Sequence, residues 1–150
     1  MIEITSSDAM QQFGEKLGHE VHGGDVIELI GDVGAGKTTL VKGIAKGMGV
    51  SDDVQSPSFT INRVYDAADG RVLSHYDFYR LSDPGIMATE LHETMYRTDT
   101  ITVIEWADAV ERVLPEDRTT ITISSPTETT RDVTIVASGP RSQRLVRQLG

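Results

Sequence analysis

The chain contains no cysteine, which excludes disulfides, thiolate metal sites and a thiol nucleophile. No apolar run is long enough to span a bilayer, and Met1 to Thr5 lacks the basic flank and long hydrophobic stretch of a secretion signal. The expected compartment is therefore the cytoplasm, with no membrane association. Positive charge is also scarce: 14 Lys and Arg stand against 23 Asp and Glu, a formal charge of -9. Broad adhesion to nucleic acid depends on clustered basic residues, so no DNA binding is expected and the acidic balance suits protein partners. The four histidines, His19, His22, His75 and His92, have neither metal-ligand spacing nor a serine or cysteine partner pattern. At 150 residues the sequence is read as one domain, 1-150, too short for a motor or a two-domain transporter ATPase.

What is present is concentrated near the start. Gly31-Asp32-Val33-Gly34-Ala35-Gly36-Lys37-Thr38 spells a phosphate-binding loop. Val26 to Ile30 before it reads as a short buried strand, and Thr39 to Ala45 after it reads as an amphipathic helix. Strand, glycine-rich turn and helix N-terminus aim successive backbone N–H groups, and the positive end of the helix dipole, at one point. Gly34, Ala35, Gly36, Lys37, Thr38 and Thr39 are the expected nucleotide-binding residues. Lys37 supplies a mobile cation for the β- and γ-phosphates, and Thr38 a hydroxyl for Mg²⁺.

The remaining pattern predicts an α/β fold: a P-loop NTPase-like domain with a mostly parallel central sheet, mixed edge strands and flanking helices. Residues 1–5 read as an edge strand. Ser6 or Ser7 can cap a helix to about Glu20, and the P-loop helix should stop near Gly47-Met48-Gly49. Phe59 to Tyr65 and Arg71 to Phe78 form a hairpin signal around Asp69-Gly70, and Pro84 can open a helix through about Met95. Ile101 to Ile104 reads as a buried strand, Trp106 to Val113 as a helix, and 119–123 with 133–136 as a closing strand pair. The tail, 139-150, reads as a basic helix with Arg141, Arg144 and Arg147 on one face. That face is either solvated or a contact patch for an acidic partner or RNA.

Phosphoryl transfer needs a metal, an acid to hold it and a group to orient the nucleophile. Glu105 follows a hydrophobic strand that should end at the rim of the P-loop, which is the Walker B arrangement; the other reading is a first-turn acid on the next helix. Asp77, in His75-Tyr76-Asp77-Phe78-Tyr79-Arg80, sits against β-propensity between aromatics. It serves either a metal-bound water or a salt bridge to Arg80. Glu105, Lys37 and Asp77 are thus the candidate catalytic residues, and Thr38 and Glu105 the candidate metal ligands. Arg63, Arg80 and Arg97 are the possible arginine fingers.

The P-loop from Gly31 to Gly43 is very similar to that of the TsaE (YjeE) family. Ser56-Pro57-Ser58-Phe59-Thr60, His75 to Leu81, and Ile104-Glu105-Trp106 with Leu114-Pro115 resemble the family's later segments in the same order. The resemblance implies a small bacterial ATPase that binds ATP and Mg²⁺ and hydrolyses weakly alone. It would act with the TsaB and TsaD proteins, which attach the threonylcarbamoyl group to adenosine 37 of tRNAs reading ANN codons. Hydrolysis would reset that complex, and tRNA would be met only through it. Lys37 would contact phosphates, Thr38 would ligate Mg²⁺, Glu105 would be the Walker B-like acid, and Asp77 would lie at the magnesium or the attacking water. Trp106 would lie close to the nucleotide, and the 56–59 turn would be a switch-like loop facing the γ-phosphate. The sequence departs from the family at Ser58, which stands for a threonine, at the loosely matching 90–95 stretch, and at Met10, near the place of a first-helix threonine.

Two rival classes share the P-loop. A small-molecule or nucleotide kinase would add an arginine-bearing lid, which the sequence does not display, and a sensing module would bind ATP without releasing phosphate. No Asn-Lys-x-Asp motif is present to read guanine.

Overall fold

The central strands are apolar on both sides because helices cover both faces of the sheet. The computed structural model describes residues 1–32, 34–55, 61–79 and 85–149. Among these residues the elements run β1 (Ile2–Ile4), α1 (Ser7–Glu20), β2 (Val26–Ile30), α2 (Lys37–Met48), β3 (Asn62–Asp66), β4 (Val72–Asp77), α3 (Gly85–Met95), β5 (Thr100–Glu105), a 3-10 helix (Ala107–Val113), β6 (Thr119–Ser124), β7 (Arg131–Ala137) and α4 (Pro140–Leu149). Val33, the 56–60 turn, and Arg80 with the rest of 80–84 lie outside the described residues.

The sheet order is β1-β7-β6-β2-β5-β4-β3. β2 pairs in parallel with both β5 and β6, and β4 with β5. The edges are antiparallel: β1 on β7, β7 on β6, and β3 on β4. A parallel centre with antiparallel edges is the architecture the sequence predicts. Ile27, Leu29, Leu73, Ile101, Val103 and Ile121 pack under α1, α2 and α4. Tyr76, Phe78 and Ile104 pack against Leu91 and Met95 of α3 and Val110 of the 3-10 helix. Within the 90–95 stretch Leu91 and Met95 pack into this second core while Glu90, His92 and Glu93 are exposed, and the Tyr76 hydroxyl lies 2.9 Å from Thr94 Oγ1.

Local signals place the ends. Ser6 caps α1, its hydroxyl accepting from the Ala9 N–H at 3.0 Å. Gly49, at φ 86, closes α2 in the left-handed region. The helix expected after β5 is a 3-10 helix over Ala107–Val113. Trp106 enters it with a left-handed backbone, and the Leu114 N–H closes on the Glu111 carbonyl just before Pro115.

Helices α1 and α2 meet backbone to backbone through four glycines. A Cβ at Gly14 would strike the Leu40 carbonyl, at Gly18 that of Ile44, at Gly43 that of Gln11, and at Gly47 that of Glu15. Gly→Ala in a helix gains up to about 1 kcal/mol of propensity. Overpacking against rigid backbone costs about 1–3 kcal/mol or more. The clash wins, so Gly43→Ala is expected to lower stability by about 2 kcal/mol, read from the urea midpoint with an unchanged slope.

The basic tail is not a three-arginine patch. Arg141 donates to the Gly23 carbonyl at 3.0 Å. Arg144 contacts His22 Nδ1 at 2.8 Å and Asp25 Oδ2 at 3.3 Å. Burial pushes the Asp25 carboxyl above its ordinary value, opposed by the His22 N–H and the Arg144 charge. Arg141 and Arg144 thus fasten α4 to the turn before β2, and Arg147 alone of the three points at solvent unengaged by any hydrogen bond among the described residues.

Candidate nucleotide site

β2 ends at Ile30 and the chain turns through Gly31 and Asp32. Gly34 and Gly36 then take φ of 83° and 109°, a region that side chains with a Cβ rarely enter. A Cβ on Gly34 would meet nothing within 4 Å, so the requirement there is torsional and not one of space. α2 begins at Lys37 with no side chain capping its N-terminus and no acid in its first turn. The amides a capping side chain would otherwise satisfy are left for an external anion. Thr38 and Thr39 sit half-buried in the same turn.

Parallel register brings the acids to this end. Glu105 is the last residue of β5 and pairs with Leu29 on one side and Asp77 on the other. Period-two alternation puts His75 and Asp77 of β4 on the face shared by Val103 and Glu105, the face that α2 covers. Lys37 Nζ lies 2.6 Å from the Gly31 carbonyl, 3.7 Å from Glu105 Oε1, and 3.9 Å from the centre of the Trp106 ring. Burial lowers the Lys37 pKa, while the charges of Glu105, Asp77 and Asp32 raise it. Asp77 Oδ1 accepts from the Tyr79 N–H at 2.9 Å, and the Tyr79 ring lies 4.8 Å from that of Trp106.

The backbone around these acids is strained. Among the described residues only Ile61 and Trp106 carry a positive φ without being glycine, at 67° and 56°. The Ile61 carbonyl accepts from Asp77 N–H at 2.8 Å, and Trp106 directly follows Glu105. Such residues cost about 1–3 kcal/mol each and cluster where geometry serves function. Here the left-handed turn at Trp106 swings its ring over Lys37.

A 420 Å³ cavity opens on the other flank of the loop, lined by Ser6, Met10, Gly34, Gly36, Thr39 and Arg131 among others. That volume is within the range of small-ligand pockets. Arg131 Nε donates to the Ala35 carbonyl at 3.1 Å, and its Nη1 donates to the carbonyls of Thr127, Glu128 and Thr130. It ties the β6–β7 turn to the phosphate loop.

Lys37, Glu105, Asp77 and Trp106 therefore converge, and Gly34, Ala35, Gly36, Thr38 and Thr39 form the loop and helix start beside them. Glu105 belongs to the strand tip rather than to a following helix. Of the possible arginine fingers, Arg97 pairs with Asp99 just before β5, at the opposite end of the sheet from Glu105. Arg63 lies on edge strand β3, registered with His75. Arg80, and with it the salt bridge weighed for Asp77, falls outside the described residues. Two residues of the site are given no role by the sequence: His75, which enters the resemblance only within the His75 to Leu81 segment, and Arg131. His75 Nε2 is 2.6 Å from Glu105 Oε2, a contact that depends on strand register. Arg131 binds carbonyls, which any sequence supplies.

Residues 4–133 match the family model of threonylcarbamoyl adenosine biosynthesis protein TsaE. The chain is 36% identical over 137 residues to the tRNA threonylcarbamoyladenosine biosynthesis protein TsaE of Streptomyces coelicolor, covering 88% of this chain and 93% of that one. It is 38% identical over 128 residues to the Bacillus subtilis protein of the same description, covering 84% and 78%. The structure superposes on the crystal structure of YdiB from Bacillus subtilis with a TM-score of 0.82 and 31% identity, over 99% of this chain and 91% of that one. The family match over residues 4–133, these identities and the shared fold make the chain a member of the TsaE family.

Proposed function

We propose that the chain is a magnesium-dependent ATPase of the cytoplasm. It serves threonylcarbamoylation of adenosine 37 in tRNAs reading ANN codons, acting with TsaB and TsaD by ATP-driven resetting of their complex. The names of the relatives place them in tRNA threonylcarbamoyladenosine biosynthesis. The observation that carries the ATPase reading is the meeting of Lys37, Glu105 and Asp77 at the mouth of the phosphate loop.

The charges there favour a metal-bound nucleotide. Three carboxylates, those of Glu105, Asp77 and Asp32, act on one ammonium, that of Lys37. A bare triphosphate entering this field is repelled more strongly than one whose charge is partly cancelled by a divalent cation. Hydroxyl and carboxylate donors also suit a hard cation, so Thr38 and Glu105 fit Mg²⁺. When bound, Mg²⁺ neutralises charge on the phosphate oxygens. Omitting magnesium and adding chelator is expected to weaken ATP binding by about tenfold or more, measured by calorimetry.

The chain's own groups then divide the work. Lys37 leaves the Gly31 carbonyl and Glu105 for the phosphates. Glu105, released from Lys37, would hold the ion or its water, and Asp77 beside it would lie at the ion or the attacking water. The amides of Gly34 to Thr39 receive the phosphates, and the cavity lined by Met10 and Arg131 takes the nucleoside. Trp106, the one tryptophan of the chain, loses its cation when Lys37 moves. Its emission is expected to shift on titration with Mg–ATP, and no shift in a binding-competent protein would contradict the displacement of Lys37.

Among the described residues no arginine is ion-paired with Glu105. An arginine supplied by a partner contributes on the order of 10³–10⁵ in rate, so turnover alone is slow. Steady-state phosphate release should rise when TsaB and TsaD are added together. Equal rates with and without them would overturn partner-completed catalysis.

A further inference from the structure

We propose that His75 is a positioning residue for Glu105, holding one carboxylate oxygen so that the other faces the phosphate loop; this rests on the ATPase reading above. His75 is fully buried on β4. Its Nε2 lies 2.6 Å from Glu105 Oε2, while Oε1 of the same carboxylate lies 3.7 Å from Lys37 Nζ. A carboxylate only accepts, so Nε2 carries the hydrogen of this contact. The two oxygens of Glu105 thus have separate partners.

The two partners differ in permanence. Lys37 is a flexible side chain that must move to reach phosphates. His75 is fixed by its strand, two residues before Asp77, which is the register partner of Glu105. Once Lys37 departs, the His75 bond is a restraint that keeps the carboxylate from wandering among its rotamers. Among the described residues the imidazole makes no other polar contact: its Nδ1 is buried with no hydrogen-bond partner there. A buried unmade bond carries a desolvation cost, which an apolar side chain at this place would avoid. A histidine kept for packing alone is therefore the more expensive choice, and its single bond to Glu105 is what accounts for it.

The test compares His75→Leu, which removes the donor, with His75→Gln, which restores an N–H near the position of Nε2. Phosphate release is measured with TsaB and TsaD present, and Mg–ATP affinity from Trp106 emission. In the leucine variant kcat is expected to fall about 10–100-fold, as when an outer partner of a metal-holding group is lost. Affinity should stay within about threefold in both variants, and glutamine should recover most of kcat. Retained kcat in the leucine variant, equal loss in both, or a loss confined to affinity would each overturn the proposal. A second readout needs no turnover. The His75 Nε2–H proton resonance of the nucleotide-free protein should move when Glu105 is replaced by alanine, and an unmoved resonance contradicts the contact. If the wild-type chain released no phosphate under any condition, the ATPase reading would fail, and the resonance would still decide whether His75 holds Glu105.

Discussion

Replacing Glu105 by glutamine is expected to leave Mg–ATP bound and to stop its hydrolysis. The substitution keeps the shape of the side chain and one oxygen acceptor while removing the charge. In the nucleotide-free protein Glu105 is paired with Lys37 at 3.7 Å and with His75 at 2.6 Å. Binding transfers Lys37 to the phosphates, and Glu105 then faces the metal or its water. Glutamine keeps an oxygen for that contact, so affinity should be largely unchanged. Hydrolysis depends on the carboxylate as holder of the metal or its water. Loss of such a group costs about 100-fold or more in rate, roughly 2.7 kcal/mol in the barrier. Calorimetry for binding and phosphate release for turnover separate the two effects. A variant that lost ATP altogether would assign Glu105 to architecture rather than to chemistry.

Lys37→Ala is expected to do the opposite, abolishing tight nucleotide binding. The effect is differential, because the ammonium already has partners in the empty site: the Gly31 carbonyl at 2.6 Å, Glu105 and the Trp106 ring. What phosphate adds is direct charge pairing in place of a pair at 3.7 Å and a neutral carbonyl. The site also loses the ammonium that stands against the carboxylates of Glu105, Asp77 and Asp32. Removing one partner of a buried charge pair costs about 3–5 kcal/mol, so affinity should drop at least about 100-fold. The Trp106 response to Mg–ATP should disappear with it. An affinity within about threefold of wild type would show that the lysine does not touch the nucleotide.

Much of this architecture was legible because it is local. The strand–glycine loop–helix unit, the Ser6 cap and the Gly49 stop are written in consecutive residues. Glu105 and Asp77 were legible for a related reason. Each ends a strand, and parallel strands bring their carboxyl ends to one rim. What stayed hidden depends on register or on backbone approach. The His75–Glu105 bond exists because His75 pairs with Val103, and nothing in either segment alone fixes that offset. Gly14, Gly18, Gly43 and Gly47 stand four apart within their helices, yet only the crossing of α1 on α2 shows what they are for. Arg141 and Arg144 looked like free charge because the buried Asp25 that receives one of them lies far away in sequence.

The measurement that bears most directly on the account is threonylcarbamoyladenosine content of tRNA, read by mass spectrometry of nucleosides from cells deprived of this chain. Re-supplied wild-type protein should restore the modified nucleoside, and Glu105→Gln, folded and still binding Mg–ATP, should not. Full restoration by Glu105→Gln would contradict the claim that ATP turnover at this cluster drives the pathway.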